Sequence, residues 1–383
     1  MDFTFSQEQN MLQETTRRFL AKDYGFDTRQ RLLAASPSAR SPAVWQTFAD
    51  LGLLALNVPE RDGGLDGGPV DTMLVMQALG ESLVLEPYLA SAVIATRAIA
   101  TLGSDQQRAS MLAALAAGEL IAVLAHDEPD TRYDWRAVAT RAWPVGNGYV
   151  LDGHKCVIAH GPSADVLLIS ARLARQGEDG PLAVFAVPRA TPGLRQHAYS
   201  TVDGVQASDI WLEQVYLPAS ARLGISETGD TGDTEATLEL ALGAGLAALC
   251  AEAVGALDRL LAACIAYARD RQQFGTPIGQ FQVLRHRMAE MVLHIEQARS
   301  MSYLAAVRCL EPDGGKRQRA LSAAKVVIGQ ACRFVGQQAV QLHGGMGVTD
   351  ELNVSHYFKR LMAIELQCGS SDHHLALFSH QGS

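Results

Sequence analysis

Two stretches in the last third of this 383-residue chain combine residue types suited to holding a phosphorylated group. In the first, Arg271-Gln272-Gln273-Phe274-Gly275, a guanidinium stands at the end of a long apolar-periodic segment and just before a glycine break. Its planar fork of donors matches phosphate oxygens bidentately, so it is well placed for a pyrophosphate. In the second, His343-Gly344-Gly345-Met346-Gly347, the glycines end a helix and let backbone amides come close to an anionic or ribityl group, which a side chain there would prevent. Taken singly, the first stretch reads as a helix C-cap with a solvated arginine and the second as a turn. Metal chemistry has no such support: His154, His160, His373 and His374 lack ligand spacing and read as surface or hydrogen-bonding residues. The six cysteines, Cys156, Cys250, Cys264, Cys309, Cys332 and Cys368, show no CxxC spacing. Reduced thiols are expected, with no disulfide framework and no zinc.

The elements that must position these residues follow from periodicity. Apolar residues recur at three- and four-residue spacing through 7–20, 44–51, 70–83 and 88–102, which predicts a helical region up to about residue 119. The Pro/Gly-rich segment 57–70, NVPERDGGLDGGPV, interrupts it as a loop that is a candidate site lining. Around Gly118 the period changes to alternation, with β-branched runs at 120–125, 149–158, 165–170, 182–188 and 210–217. Turn formers at 146–148, 177–180 and 191–193 bound them. Helical patterns return at 234–271, 281–310, 318–343 and 351–366, joined to the strands by the polar stretch SETGDTGDTEA (226–236). The expected class is α+β: an N-terminal helical domain over 1–119, a middle β-barrel-like domain over 120–229 and a C-terminal four-helix bundle over 230–383.

Bulk properties narrow the function. With 48% hydrophobic residues the chain has material for more than one core. Its formal net charge of -9 is spread along the length, so no region offers a sustained positive field, and nucleic acid is not an expected partner. The start, MDFTFSQEQN, lacks the basic and apolar run of a secretory signal. The longest Ala/Leu-rich segment carries Glu252 and Asp258, so no membrane span is expected, and the expected location is cytoplasmic.

Arg271 to Gly275, followed by Pro277-Ile278-Gly279 and Phe281-Gln282, resembles the RxxFGxxIxxFQ signature of the acyl-CoA dehydrogenase family. The stretch Gln341 to Glu351 resembles that family's QxxGGxGxTxE segment, and Tyr149 to Lys155 its YxLxGxK hairpin. The likeness covers essentially the whole chain and agrees with the helix–strand–helix order. It implies a flavoprotein oxidoreductase of fatty acid metabolism that binds FAD, removes the α,β-hydrogens of an acyl-CoA and passes electrons to an electron-transfer flavoprotein. It further implies that Arg271 reaches the FAD of a neighbouring subunit, that Gln341, Gly344 and Gly345 contact the adenylate half, and that Phe274 and Gln282 pack near it. A homodimer or homotetramer is implied, because the cofactor arginine acts in trans and the last helices are apolar on more than one face.

The pattern breaks where the family keeps its carboxylate base. Aligned on Gly369, Cys368 stands at the usual glutamate position, and Gly245 stands at the alternative one on the long helix before Arg271. A thiol with an ordinary pKa of about 8.5 is a poor base at neutral pH. Glu239, Glu252 and Glu365 are the neighbouring carboxylates, each read as a solvated or ion-paired helix residue, so the catalytic residues stay unassigned. Where the family has a TEPxxGSD loop, this chain has Asp127-Glu128-Pro129-Asp130-Thr131-Arg132-Tyr133-Asp134, and Val157 and Ala159 replace the usual flavin-flanking Trp and Thr. These features resemble the small subunits of bacterial two-subunit acyl-CoA dehydrogenases of the pimeloyl-CoA type. That resemblance implies a second possibility: a half-site or non-catalytic subunit acting with a large subunit that bears the glutamate.

Overall fold

The structure, a computed structural model, describes residues 4–35, 39–175, 178–226, 229–230 and 233–380. Helices come first. The Ser6 hydroxyl accepts from the Gln9 amide at 3.1 Å while the Gln9 side chain accepts from the Ser6 amide at 3.0 Å, a reciprocal cap that starts α1 (Gln7–Asp23). Then follow α2 (Phe26–Ala35), α3 (Pro42–Asp50) and α4 (Pro69–Ser82). A π-helical segment, Tyr88–Ala95, runs directly into α5 (Thr96–Leu102), and α6 (Asp105–Ala116) closes the series behind a second capping box at Ser104. Periodicity marked α1, α3, α4 and 88–102, but not α2 or α6 as separate helices. The segment 57–70 is a loop around one short 3-10 turn, Glu60–Asp62, and with Arg97 it lines a shallow hollow at Asn57, Arg61 and Asp66.

The strands are β1 (Ala122–Ala125), β2 (Arg141–Val145), β3 (Gly148–Ala159), β4 (Val166–Arg175), β5 (Glu178–Pro188), β6 (Leu194–Ser200), β7 (Gln206–Pro218) and β8 (Arg222–Leu223). They form one sheet in the order β6-β7-β3-β2-β4-β5-β8, with β1 added parallel to β4. β2 and β6 carry too little alternation to have been marked. The expected turn at 177–180 lies partly outside the described residues, and its last three residues are already in β5. Of the expected linker, Ser226 ends β9 (Ile225–Ser226), which pairs with β10 (Gly229–Asp230). Residues 227–228 and 231–232 lie outside the described residues.

The chain then enters α7 (Thr234–Asp270), a small hairpin of β11 (Gln272–Gln273) and β12 (Thr276–Pro277), and α8 (Gln282–Arg308). After these come α9 (Gly314–His343), α10 (Asn353–Leu366) and α11 (Ser371–His380), the last of which the periodicity did not mark. An 18-residue window of α7 reaches a mean hydropathy of 1.9, yet 89% of it is buried inside the protein, as befits a core helix.

Contacts group the chain into two compact units that do not follow chain order. One comprises Met1–Arg31, Pro69–Val84 and Leu246–Ser383; the other comprises Leu32–Gly68 and Leu85–Gly245. In the first, α1 packs on α4, where Gln9 donates to Asp71 at 2.9 Å, and α9 lies against α8, α10 and α11. Here α4 and α7 meet almost backbone to backbone. A Cβ built on Gly255 runs into the Gln77 carbonyl oxygen, and one built on Gly80 runs into that of Glu252. Gly255→Ala therefore has to push two helices apart and is expected to lower stability by about 1–3 kcal/mol. Gly345→Ala, whose Cβ meets nothing within 4 Å, is the control that denaturant unfolding should find near neutral. In the second unit, Ala98, Ile99, Leu102 and Leu112 of the helices share a core with Leu168, Leu182 and Val184 of the sheet.

Candidate functional site

Arg271 follows the last residue of α7, and its carbonyl accepts from the Ile278 amide at 2.8 Å, which closes the β11–β12 hairpin. The two residues at the hairpin tip, Phe274 and Gly275, sit at φ 54° and 80°. Two successive left-handed residues suit a tight hairpin, but an aromatic is a costly choice for the first of them. Phe274 is 92% exposed and makes an edge contact with Phe281 at 6.1 Å between ring centroids. Gln282 opens α8 and is exposed. Among the described residues the Arg271 guanidinium, also exposed, has neither an ion pair nor a side-chain hydrogen bond.

Gln341 lies in the last turn of α9 and is exposed, as are Gly344 and Gly345. Gly344 takes φ 60°, ψ -139°, a conformation closed to residues with a Cβ. A Cβ at Gly344 or Gly345 would meet no atom within 4 Å, so packing does not require these glycines. Gly347 differs, since its Cβ would lie 2.7 Å from the Val340 carbonyl oxygen. The ends of α7 and α9 are brought together by Tyr267, four residues before Arg271, whose ring stacks on His343 at 4.3 Å. His343 donates from Nδ1 to the Ala339 carbonyl at 2.8 Å, and burial lowers its pKa, so it stacks as a neutral ring. All six predicted residues thus lie exposed at helix ends of one unit. A guanidinium with no ion pair among the described residues, at the end of α7, and open glycine backbone at the end of α9 are each suited to a phosphorylated ligand such as a dinucleotide.

Both base positions lack a carboxylate. Cys368 is exposed in the turn between α10 and α11, at φ 55°. Gly245 lies within α7, where a Cβ would stand 2.6 Å from Ile94 Cδ1. The three neighbouring carboxylates are ion-paired, as expected. Glu252 is held bidentately by Arg360 at 2.6 and 2.8 Å in buried surroundings. Glu365 accepts from Arg333 at 2.9 Å and from the Ser371 amide at 3.1 Å, and Glu239 from Arg136 at 3.5 Å.

The loop that departs from the family pattern is anchored by a buried network in the second unit. Lys155, fully buried, donates to Glu128 at 2.6 Å, to Ser170 Oγ at 3.0 Å and to the His126 carbonyl at 3.2 Å. Glu128 also accepts from Thr140 Oγ1 at 2.5 Å and from the Ala139 amide at 2.6 Å. Burial draws the Lys155 ammonium down to about 8, against the pull of Glu128 that keeps it charged. His126 bridges the base of the loop, donating from Nε2 to the Trp135 carbonyl at 2.8 Å and accepting at Nδ1 from Ser170 at 2.9 Å. Burial, helped by Lys155, holds its pKa near 4, which keeps this neutral tautomer in place. Beyond the clamp, Asp130, Arg132 and Tyr133 all adopt left-handed φ, of 67°, 46° and 71°, and Val157 does the same at 54° while 56% exposed. A strained, outward-facing surface on a rigid base is a frequent mark of a ligand site. Reasoning from sequence did not find the pairing of Lys155 with Glu128 or the burial of Lys325. A lysine inside the apolar run SAAKVVIG was the available signal for the second.

The chain thus runs from helices through a mixed sheet to a helical bundle that carries the exposed arginine and glycines. Models of the N-terminal, middle and C-terminal domains of acyl-CoA dehydrogenase match residues 6–119, 124–215 and 236–381. The L-prolyl-[peptidyl-carrier protein] dehydrogenase of a Serratia strain is 30% identical, over 97% of this chain and 96% of its own length. Among solved structures, PigA with FAD and proline superposes with a TM-score of 0.87 at 28% identity, covering 100% of this chain and 99% of that one. The ChsE4-ChsE5 complex of Mycobacterium tuberculosis gives 0.86 at 25% identity, covering 100% and 98%. The chain belongs to the acyl-CoA dehydrogenase family, flavin oxidoreductases that act on CH–CH bonds.

Proposed function

We propose that this chain binds FAD and takes part in the α,β-dehydrogenation of an acyl thioester, with the carboxylate base supplied by a partner subunit and electrons passing on to an electron-transfer flavoprotein. The observation that carries this reading is the contrast within one unit. The groups suited to a dinucleotide are exposed, whereas Cys368 stands at the base position and Glu252 and Glu365 are tied to arginines. Bound FAD would supply the hydride acceptor. Arg271 would hold pyrophosphate oxygens, Gln341, Gly344 and Gly345 the adenylate half, and Phe274 and Gln282 would pack beside it across a subunit contact. A face that carries a 92%-exposed phenylalanine is better suited to a second subunit than to water. The ChsE4-ChsE5 relative, a complex of two named chains, supports a heteromeric partner, and a homodimer or homotetramer is the simpler assembly.

Two measurements test the reading. The purified chain should carry or take up FAD, and Arg271→Gln should weaken FAD retention about 10- to 100-fold, the worth of a charge-assisted hydrogen bond, in reconstitution titrations. A chain that takes up no flavin sinks the proposal. Assayed alone with butyryl-CoA and an artificial electron acceptor, the protein should turn over slowly; robust turnover would reject the partner-supplied base. The Serratia relative favours a second reading, in which the acyl group is prolyl carried on a peptidyl-carrier protein. Binding of prolyl carrier protein in preference to butyryl-CoA would select it.

A further inference from the structure

The Tyr267 ring stacks on that of His343 with centroids 4.3 Å apart and planes 29° from parallel. Each ring stands next to a group proposed above to hold the dinucleotide. The Arg271 amide donates to the Tyr267 carbonyl at 2.9 Å, so the last turn of α7 runs on to Arg271 and sets the two side chains on one face. Four residues of helix separate them by about 6 Å along the axis. His343 ends α9 and is followed at once by Gly344, whose Cα lies about 3.8 Å from its own. The stack therefore acts within a turn of the guanidinium and within a residue of the open backbone.

His343 is fastened from three sides. Its Nδ1 donates to the Ala339 carbonyl at 2.8 Å and its face meets Tyr267. The glycine turn wraps the third side: a Cβ built on Gly347 would stand 3.1 Å from the His343 Cβ and 2.7 Å from the Val340 carbonyl oxygen. His343 is buried but Tyr267 only half so, and a stack at the rim of the core serves mainly to place two helix ends. Other contacts hold these helices without it. Arg287 of α8 donates to Gln338 of α9 at 2.7 Å, and the His294 ring of α8 packs on Phe334 of α9 at 4.3 Å. The turn at Gly279 sits against α7, where a Cβ would lie 2.9 Å from the Ala268 carbonyl oxygen. Loss of one ring should thus loosen a placement and spare the fold.

We propose that Tyr267 and His343 are positioning residues of the dinucleotide site: their stack sets the Arg271 guanidinium relative to the Gly344–Gly345 backbone, so that the pyrophosphate and the adenylate half of one FAD are gripped together. The proposal rests on the FAD reading given above and names the pair that makes a single site of two separate helix ends.

The test titrates the full-length, flavin-free protein with FAD in a double-mutant cycle. Tyr267→Leu should weaken FAD about tenfold, the low end of what a charge-assisted hydrogen bond is worth, and Tyr267→Phe, which keeps the ring, should stay within about twofold of wild type. In an Arg271→Gln background the same Tyr267→Leu change should cost about threefold or less, because the group it places is already gone. A folded Tyr267→Leu protein that binds FAD as tightly as wild type overturns the proposal. So does an equal loss in both backgrounds, which is what a general weakening of the structure would give. Should Tyr267→Leu fail to fold, His343→Gln goes through the same cycle with the same two outcomes decisive. A wild type that takes up no FAD fails differently, since it removes the dinucleotide site itself and the pair's role with it.

Discussion

A Cys368→Glu protein, loaded with FAD and assayed alone with butyryl-CoA and an artificial acceptor, should turn over about 10²-fold faster than the wild type, the low end of what a positioned general base contributes. A carboxylate of ordinary pKa about 4.3 is ionised at pH 7, whereas a thiol near 8.5 is mostly protonated. Structure makes the exchange feasible. Cys368 is exposed, so the new charge is not forced into a dry core. Its φ of 55° is strained for any L residue, and cysteine already bears that strain, so glutamate adds none of note. The turn is held through carbonyl oxygens by Lys325 and His374 and should survive the replacement. Gly245→Glu makes the contrast, because its Cβ must displace Ile94 Cδ1 from 2.6 Å. It should yield a less stable protein with a smaller gain. If Cys368→Glu binds flavin and butyryl-CoA yet stays at the wild-type rate, the turn is not where the proton is removed.

Lys155→Met should be the most damaging single change in the sheet-containing unit. Methionine fills much the same volume, so the loss is electrostatic. Glu128 would keep Thr140 and the Ala139 amide but would lose its only cation among the described residues while remaining buried. Removing one partner of a buried pair costs about 3–5 kcal/mol, because the remaining charge is left uncompensated. Ser170 and the His126 carbonyl lose a donor at the same time. Denaturant unfolding of Lys155→Met, and of Lys155→Met with Glu128→Gln, separates the two contributions: the double variant should recover part of the stability. A single variant within about 1 kcal/mol of wild type would mean that Glu128 is not held charged. Loosening of the loop from Asp127 to Trp135 should appear alongside, as faster amide exchange in that segment.

The chemistry-bearing stretches were legible because each is local. A glycine that must leave the helical region, a helix end followed by a two-residue hairpin, and an apolar stripe at helical spacing all leave their mark within a few residues of sequence. Thus 234–271, read from periodicity, differs from α7 by one residue, and Phe274-Gly275 falls at the hairpin tip. Segments too short or too polar to show a period, such as α2, α11, β2 and β6, had no such mark and are stabilised by what they pack against.

By itself the sequence determined the α+β order, the glycines and arginine that could serve a dinucleotide, and the want of a carboxylate at 245 and 368, since residue types and short-range periods are written directly in it. The tertiary structure decided the rest. It put α1 and α4 in one compact unit with the C-terminal helices. It paired Glu252 with Arg360 across 108 residues and turned Lys325 onto carbonyls 40 and 44 positions away. Such partners are chosen by where burial leaves a charge no water to turn to, and that is settled only once the whole chain has packed.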